Sequence, residues 1–435
     1  MSAQVLHPRY VLPVAPQNVV LEEASVALQD GRIAAVGPRA DIEARYPVAD
    51  ALPLDSHVVM PGLVNAHGHL AMTLMRGLSE SQPLDAWLQE TIWPMEARCV
   101  DAEFVRDGTA LALAEMIASG TTSASDMYWF PEAAAETASA AGFRLQVAFP
   151  VAEFASAWAS SADECIRKGL ALRDRYRDDD LVQVAFGPHA AYTTGEEILR
   201  RLQTLADEVD AGIQIHLHET ASEVADARAR TGGSWVQCLD TMGLLTPALQ
   251  AVHMTQLTAR EIERLAFGGA HVVHCPRSNL KLASGRCPVD DLLAAGVNVA
   301  LGTDGAASNN SLDLFDEMRA AALLRTSLTE DAAAAPAAQM LEMATLGGAR
   351  ALGLDEEIGS LEAGKRADLI AVDLAHPGMQ PVHDPTAQLV HAQAGRHVSH
   401  VWVNGRCLYE TGRFHTLDVP RILARAAEWP GRMAS

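Results

Sequence analysis

Through the middle of this chain, short β-favouring runs alternate with helical stretches eight times over. The runs fall at 58–60, 121–126, 144–149, 182–186, 212–217, 250–253, 271–274 and 297–301. Helical patterns lie between them, among them 103–118, 195–210, 258–267 and 312–326. Two of these helices begin with what reads as a capping box, Thr194 with Glu197 and Thr258 with Glu261. In each, a side-chain oxygen would satisfy a backbone N–H that the first helical turn leaves unpaired. Eight strand–helix units over about 300 residues is the count of a closed (β/α)₈ barrel, a TIM barrel of the α/β class.

The two ends of the chain have a different texture. Val26-Ala27-Leu28 leads through Asp30-Gly31 into Ile33-Ala34-Ala35-Val36, and Val401-Trp402-Val403 runs into Asn404-Gly405. Such β runs joined by Asp-Gly or Asn-Gly are hairpin signals. The expected organisation is a barrel over 59–357 and a small β-sandwich domain assembled from 1–58 and 358–435. The small-residue patch at 333–338 reads as a linker or helix surface.

Composition narrows the function classes. The 435 residues carry 33 basic and 55 acidic side chains, a net of −22. That balance excludes nucleic acid as an expected partner, because neutralising phosphates takes clustered Lys and Arg. The six cysteines contain no C-x-x-C pair and fit reduced, buried thiols. The start, Met1-Ser2-Ala3-Gln4, has no basic segment followed by an apolar run, and no stretch approaches the roughly 18 apolar residues of a membrane span. The expectation is a soluble cytoplasmic protein without membrane association, with a homodimer as the default assembly.

In a barrel of this kind the chemistry lies where the strands end. Here those ends carry Asn65-Ala66-His67-Gly68-His69, Asp126, Gly187-Pro188-His189, His216-Leu217-His218-Glu219, His253, His274 and Gly302-Thr303-Asp304. Packing alone does not place a histidine or carboxylate at nearly every strand end. His67 and His69, two apart on an extended segment, project from one face. Imidazoles suit Zn²⁺ or Fe²⁺, and His216 and Asp304 would complete a shell of four protein ligands. Other polar residues have plainer readings. His218 alternates with His216 and would be packed or hydrogen-bonded; His271, His274 and Asp126 read as structural, Lys281 as an ion-pair partner, and Met72, Met75 and Met95 as core or pocket wall.

These segments resemble the amidohydrolase superfamily, and more narrowly its aminohydrolases acting on ring amines. The resemblance rests on Pro61-Gly62-Leu63-Val64-Asn65-Ala66-His67-Gly68-His69, Ile215-His216-Leu217-His218-Glu219, Ser278-Asn279-Leu280-Lys281-Leu282 and Gly302-Thr303-Asp304-Gly305. Residues 72–77, Leu84-Asp85-Ala86-Trp87-Leu88 and Ile92-Trp93-Pro94-Met95-Glu96 are most similar to deaminases of 5′-methylthioadenosine and S-adenosylhomocysteine. The resemblance implies one divalent metal per subunit, zinc with iron as the alternative, held by His67, His69, His216 and Asp304. It further implies Glu219 as proton shuttle, His253 as the histidine that holds the attacking water, and Asp304 as a second proton acceptor. Glu96 would bind ribose hydroxyls, His189 would contact the substrate, and Trp87 would lie near the purine. The implied reaction replaces the 6-amino group of an adenosine thioether by oxygen and releases ammonia.

Rival readings make different demands. A binuclear amidohydrolase needs a lysine after strand four, where this chain has Gly187-Pro188-His189-Ala190-Ala191-Tyr192. Deaminases of guanine, 8-oxoguanine, cytosine, pterins or triazines would use the same mononuclear site, but Glu96 and Trp87 favour a nucleoside. A non-catalytic scaffold would be expected to have lost a ligand or Glu219, and all are present. Some relatives grip the homocysteine carboxylate with arginines on the loop after strand three. Here that loop runs Phe149-Pro150-Val151-Ala152-Glu153-Phe154-Ala155-Ser156-Ala157-Trp158, with no arginine before Arg167. A carboxylate buried there without a partner would be costly, so the expectation favours methylthioadenosine over S-adenosylhomocysteine.

Overall fold

The computed structural model describes residues 3–434; Met1 and Ser2, where the N-terminus read as leaderless begins, lie outside the described residues, as does Ser435. The barrel strands are Leu63–His69, Thr121–Asp126, Arg144–Val151, Val182–Pro188, Ile213–Leu217, Leu249–His253 and His271–His274, with the eighth in two pieces, Val299–Leu301 and Asp304–Gly305. They are hydrogen-bonded in chain order. The second piece of strand eight pairs in parallel with strand one, Asp304 opposite Gly68 and Gly305 opposite His69, which closes the sheet. Strands three and five are buried at every position, the pattern of a parallel sheet covered on both faces. Between the pieces of strand eight, a Cβ on Gly302 would sit 3.0 Å from the backbone N and O of His67, so glycine lets the last strand pass this close to the first.

Two sequence expectations are corrected. Val58-Val59-Met60 does not open the barrel: it ends the long strand Asp50–Pro61, which pairs with Gln4–Val11 and Leu369–Asp373. Pro61 and Gly62 separate it from strand one, and Gly62 packs so closely that a Cβ would lie 2.0 Å from Thr122 Oγ1. The apolar run continues across that break, which is why periodicity alone merged the two strands. The second correction concerns Thr194, which caps no helix. The helix Glu196–Val209 starts behind Gly195, at φ 77°, without a side-chain cap, while Thr194 Oγ1 donates to the Val151 carbonyl at 3.2 Å. The Thr258–Glu261 box forms as expected, with Glu261 Oε2 accepting the Thr258 N–H at 2.8 Å.

Segments from both ends build a second, nine-stranded mixed sheet. Its order runs Arg413–Phe414, Arg406–Glu410, Val398–Val403, Leu369–Asp373, Asp50–Pro61, Gln4–Val11, Ala24–Gln29 and Arg32–Pro38, with Leu21–Glu22 beside Gln4–Val11. Val26, Leu28, Val59, Leu369 and Trp402 form part of its apolar core. Contacts divide the chain into one unit of Met1–Asn65, Ala114–Ser123 and Asp313–Leu417, and another of Ala66–Leu113, Ala124–Leu312 and Asp418–Ser435. The helix Val419–Ala434 belongs to the second unit, where Trp429 meets Phe104 edge-on and its Nε1 donates to Asp107 at 2.9 Å. Every candidate site residue lies in that second unit. Among the described residues, no helix is long and apolar enough to cross a membrane.

Candidate metal centre and active site

His67, His69, His216 and Asp304 converge at the ends of strands one, five and eight. In each imidazole, Nδ1 faces an acceptor: Gln214 Oε1 at 2.8 Å for His67, the Met127 carbonyl at 2.5 Å for His69, and the His189 carbonyl at 2.6 Å for His216. An acceptor opposite Nδ1 keeps the proton there and leaves the lone pair on Nε2. Gln214 is itself fixed, since its amide nitrogen donates to the Ala66 carbonyl at 3.0 Å and to Gln250 Oε1 at 2.6 Å. The Nε2 atom of His67 is thereby turned toward that of His216 on one side and toward Asp304, shared with His69, on the other. The Nε2 atoms of His67 and His216 are 3.2 Å apart, and those of His67 and His69 lie 3.5 and 3.2 Å from Asp304 Oδ1.

His67 joins two groups of donors close enough to share a cation, His67 with His69 and Asp304, and His67 with His216 and His253, and this crowding of imidazoles around a carboxylate fits a divalent metal. Asp304 is committed to this arrangement from both sides. Ser278 and Ser308 hydroxyls donate to its Oδ2 at 2.5 and 2.8 Å, leaving Oδ1 for the histidines. Its backbone is left-handed at φ 60°, as is that of His253 at 75°; such conformations are strained for non-glycine residues and concentrate at functional sites.

Beside this cluster stand Glu219 and His253. His253 Nδ1 donates to Asn279 Oδ1 at 2.9 Å, so its Nε2 carries the lone pair, 3.6 Å from Glu219 Oε2. Burial, with the neighbouring Asp304 carboxylate, pushes Glu219 up to about 8. A carboxyl poised near neutrality can both take and give a proton. Ser284 Oγ donates to Glu219 Oε1 at 3.1 Å, and the buried Glu223 carboxylate accepts the backbone N–H groups of His218 and Glu219. Burial, and then the imidazoles of His69 and His67, hold His189 down at about 4, so this ring is neutral.

A cavity of about 790 Å³ joins these groups. Its wall includes His69, His189, His216, Glu219, His253 and Asp304 together with Trp87 and Glu96. His67, fully buried, lies behind His69 and His216 and does not reach it. Trp87 begins a π-helical turn, Trp87–Ile92, that runs into the helix Trp93–Cys99 bearing Glu96. Such turns are rare and frequent at functional sites, because they re-aim side chains. The Trp87 indole is buried, and its Nε1 has no hydrogen-bond partner among the described residues. Burial raises the Glu96 carboxyl, which the Tyr128 phenol and the Trp129 indole face.

Sequence reasoning missed residues that orient the others, Gln214, Ser284 and Glu223, together with the wall residues Tyr128, Trp129 and Tyr192, and it quoted Asn279 in the strand-seven segment without giving it a role. Glu223 had a usable signal, lying three residues after Thr220 at capping-box spacing. Tyr128 and Trp129 lie just past strand two, where only Asp126 drew attention. That aspartate accepts the Leu70 N–H at 2.8 Å, a structural duty. His218 Nδ1 is paired with the Gln256 carbonyl at 2.8 Å, and Lys281 with Glu80 at 3.1 Å.

Comparison with known proteins places these features. A model of the amidohydrolase family matches residues 58–408, and one of an imidazolonepropionase-like composite domain of bacteria matches 26–47. The chain is 50% identical over 430 residues to a 5-methylthioadenosine/S-adenosylhomocysteine deaminase of Teredinibacter turnerae, covering 99% of this chain and 97% of that one. It is 47% identical to the protein of the same name from Saccharophagus degradans, over 98% and 95% of the two chains. Among solved structures, an adenosine deaminase from Xanthomonas campestris with bound zinc superposes with a TM-score of 0.98 at 46% identity, covering 99% and 98%. An atrazine chlorohydrolase from Arthrobacter aurescens, complexed with zinc, gives 0.91 at 25%, covering 98% and 99%.

Proposed function

The chain belongs to the amidohydrolase family, among its 5-methylthioadenosine/S-adenosylhomocysteine deaminases, and from that premise we propose the reaction and the residue roles that follow. It is a hydrolytic deaminase that converts the 6-amino group of an adenosine thioether to the inosine analogue with release of ammonia. The observation that carries this reading is one cavity whose wall holds Glu219 and His253 beside His69, His216 and Asp304, with Glu96 on the same wall.

His67, His69, His216 and Asp304 would hold the metal, zinc in our reading, with Fe²⁺ admitted by the same donors. When bound, the cation supplies Lewis acidity, making hydroxide available from water near neutral pH. The His253 Nε2 lone pair accepts a hydrogen bond from the attacking water and orients it toward C6. Glu219 takes a proton from that water and delivers one to ring N1. Asp304 would take the remaining O–H proton of that water and Glu219 would help pass it to N6, so that the C6–N6 bond breaks with loss of NH₃ and leaves a C6 carbonyl. Neutral His189 would contact the purine, and the Trp87 side chain on the same cavity wall would lie near it. The Glu96 carboxylate accepts from the ribose hydroxyls.

We further assign a preference for methylthioadenosine over S-adenosylhomocysteine. Among the described residues, no Lys or Arg lines the cavity, and Phe154 from the loop after strand three borders it. A homocysteine carboxylate would meet no cation there. Ammonia release from 5′-methylthioadenosine, S-adenosylhomocysteine, adenosine and guanine, by zinc-loaded enzyme and by Glu219→Gln, tests both statements. The expected result is turnover of the adenosine thioethers, reduced about 10²- to 10⁴-fold in the variant. Silence on the adenosine compounds would refute the reaction, and a kcat/KM for S-adenosylhomocysteine at or above that for methylthioadenosine would refute the preference.

A further inference from the structure

Beyond Glu96 the cavity continues into a second, half-open space of about 1080 Å³ including the solvent at its mouth. Trp93, Trp129 and Phe154 border both spaces, and Ala155, Ala157 and Val100 complete an apolar lining in the second. The Phe154 ring stands 6.4 Å from that of Trp93 and 6.2 Å from that of Trp129, tilted at 47° and 72°. These are the separations at which aromatic rings favour offset or edge-on partners. Phe154 nevertheless remains 42% exposed, so it is only partly covered. The polar groups bordering the space are Glu96, Ser156 and Thr193, and none is basic.

The apolar lining of this space is wider than a methyl group can cover. A methylthio group has two heavy atoms and fills on the order of 60 Å³, about two waters' worth of liquid volume. It would leave the three rings largely uncovered, whereas a flat or branched apolar group would cover them. The lining also argues about charge, since an anionic substituent would face Glu96 without a compensating cation.

We propose that this annex is a subsite for large apolar 5′-thio substituents, and that the enzyme deaminates adenosine 5′-thioethers carrying aryl or branched-alkyl groups. The proposal rests on the reading that Glu96 holds the ribose, which directs the 5′ carbon toward the annex. The substituent takes no part in the chemistry. Water adds at C6 and ammonia leaves, as for the methyl compound, while the C–S bonds stay intact.

The experiment compares kcat/KM for 5′-methylthioadenosine, 5′-S-benzyl-5′-thioadenosine, S-adenosylhomocysteine and the cationic 5′-dimethylsulfonio analogue, with wild type, Phe154→Ala and Phe154→Leu. Melting temperatures establish that both variants fold. The benzyl compound is expected to match or exceed the methyl one. In Phe154→Ala the benzyl-to-methyl ratio should fall about tenfold, the scale on which lost apolar contacts discriminate substrates, with partial recovery in Phe154→Leu. Turnover of the methyl but not the benzyl compound would overturn the proposal and leave the deaminase reading standing. A benzyl-to-methyl ratio unchanged in Phe154→Ala would overturn it too, as would a preference for the sulfonium, which would make the rings a cation site. No turnover of either thioether would remove the deaminase reading and this proposal together.

Discussion

The Glu223 carboxylate accepts the backbone N–H of Glu219 at 2.7 Å through one oxygen and that of His218 at 3.0 Å through the other. The main chain carrying Glu219, the proposed acid–base group, is thereby clamped from the first turn of the following helix, Ala221–Thr231. An amide at this position would turn its NH₂ toward one of the two N–H donors. Glu223→Gln is expected to lower kcat about 10- to 100-fold, as loss of an orienting partner does, with a smaller change in KM. Equal falls in kcat and in folded fraction would reduce Glu223 to a structural part.

The same residue has a signature in stability. Burial holds the Glu223 carboxyl up at about 7, above its ordinary 4.5. The folded state therefore keeps this proton where the unfolded chain has lost it. The stability contributed is fully present below about 4.5 and is lost as pH rises through 7, a swing of about 3 kcal/mol. Glutamine does not titrate, so the melting-temperature advantage of wild type over Glu223→Gln should shrink between pH 4.5 and 7.5. An advantage that grows over that range would show the carboxyl to be ionised in the fold.

Asn279 offers a cleaner separation of metal binding from chemistry. Its Oδ1 accepts from His253 Nδ1 at 2.9 Å and so leaves the lone pair on Nε2, the nitrogen that would face the attacking water in the proposed reaction. Asn279→Ala frees that proton to either nitrogen. Turnover should fall about 10- to 100-fold while metal content per chain stays at the wild-type level. Metal analysis decides the point, because parallel loss of metal would place Asn279 among the supports of the ligand cluster.

What the sequence made legible follows from how far each signal reaches along the chain. His67 and His69 share a strand, and Glu219 follows His216 by three residues, so these pairs were visible as spacing, while the full ligand set and the role of Glu219 came from the resemblance to the family. The barrel was readable because each strand–helix unit is local. Gln214 against His67 and Asn279 against His253 join residues 147 and 26 apart, and such pairings exist only once the strands are side by side. The missed break at Pro61-Gly62 has the same origin. Whether Val58-Val59-Met60 pairs with Leu369–Asp373 or inside the barrel is decided by partners distant in sequence.

Glu96 makes a claim about the ribose that can be tested by subtraction. If its carboxylate accepts from the sugar hydroxyls, Glu96→Gln should lose about 10- to 100-fold in kcat/KM for methylthioadenosine, the worth of a charged hydrogen bond. Wild type given the 2′-deoxy analogue should lose a comparable factor, and the variant given that analogue should lose little more. Independent, multiplying losses in this cycle would show that the carboxylate and the hydroxyl do not meet.

The metal cluster makes the sharpest demand on Gln214. Its Oε1 holds the His67 Nδ1 proton, and its amide nitrogen is spent on the Ala66 carbonyl, Ser125 and Gln250, so the buried amide has one orientation. Gln214→Leu keeps the bulk and removes the acceptor, leaving His67 free to present a protonated Nε2 to its neighbours. Metal affinity should then weaken about 10- to 100-fold, read as the free zinc needed to restore activity after chelation. At saturating zinc the turnover number should approach that of wild type, since Glu219 and His253 are untouched. Should kcat stay low at every metal concentration, Gln214 would act on the chemistry and not on His67 alone. Re-metallation with Fe²⁺ under anaerobic conditions, run beside zinc, also ranks the two ions on the same three imidazoles and carboxylate.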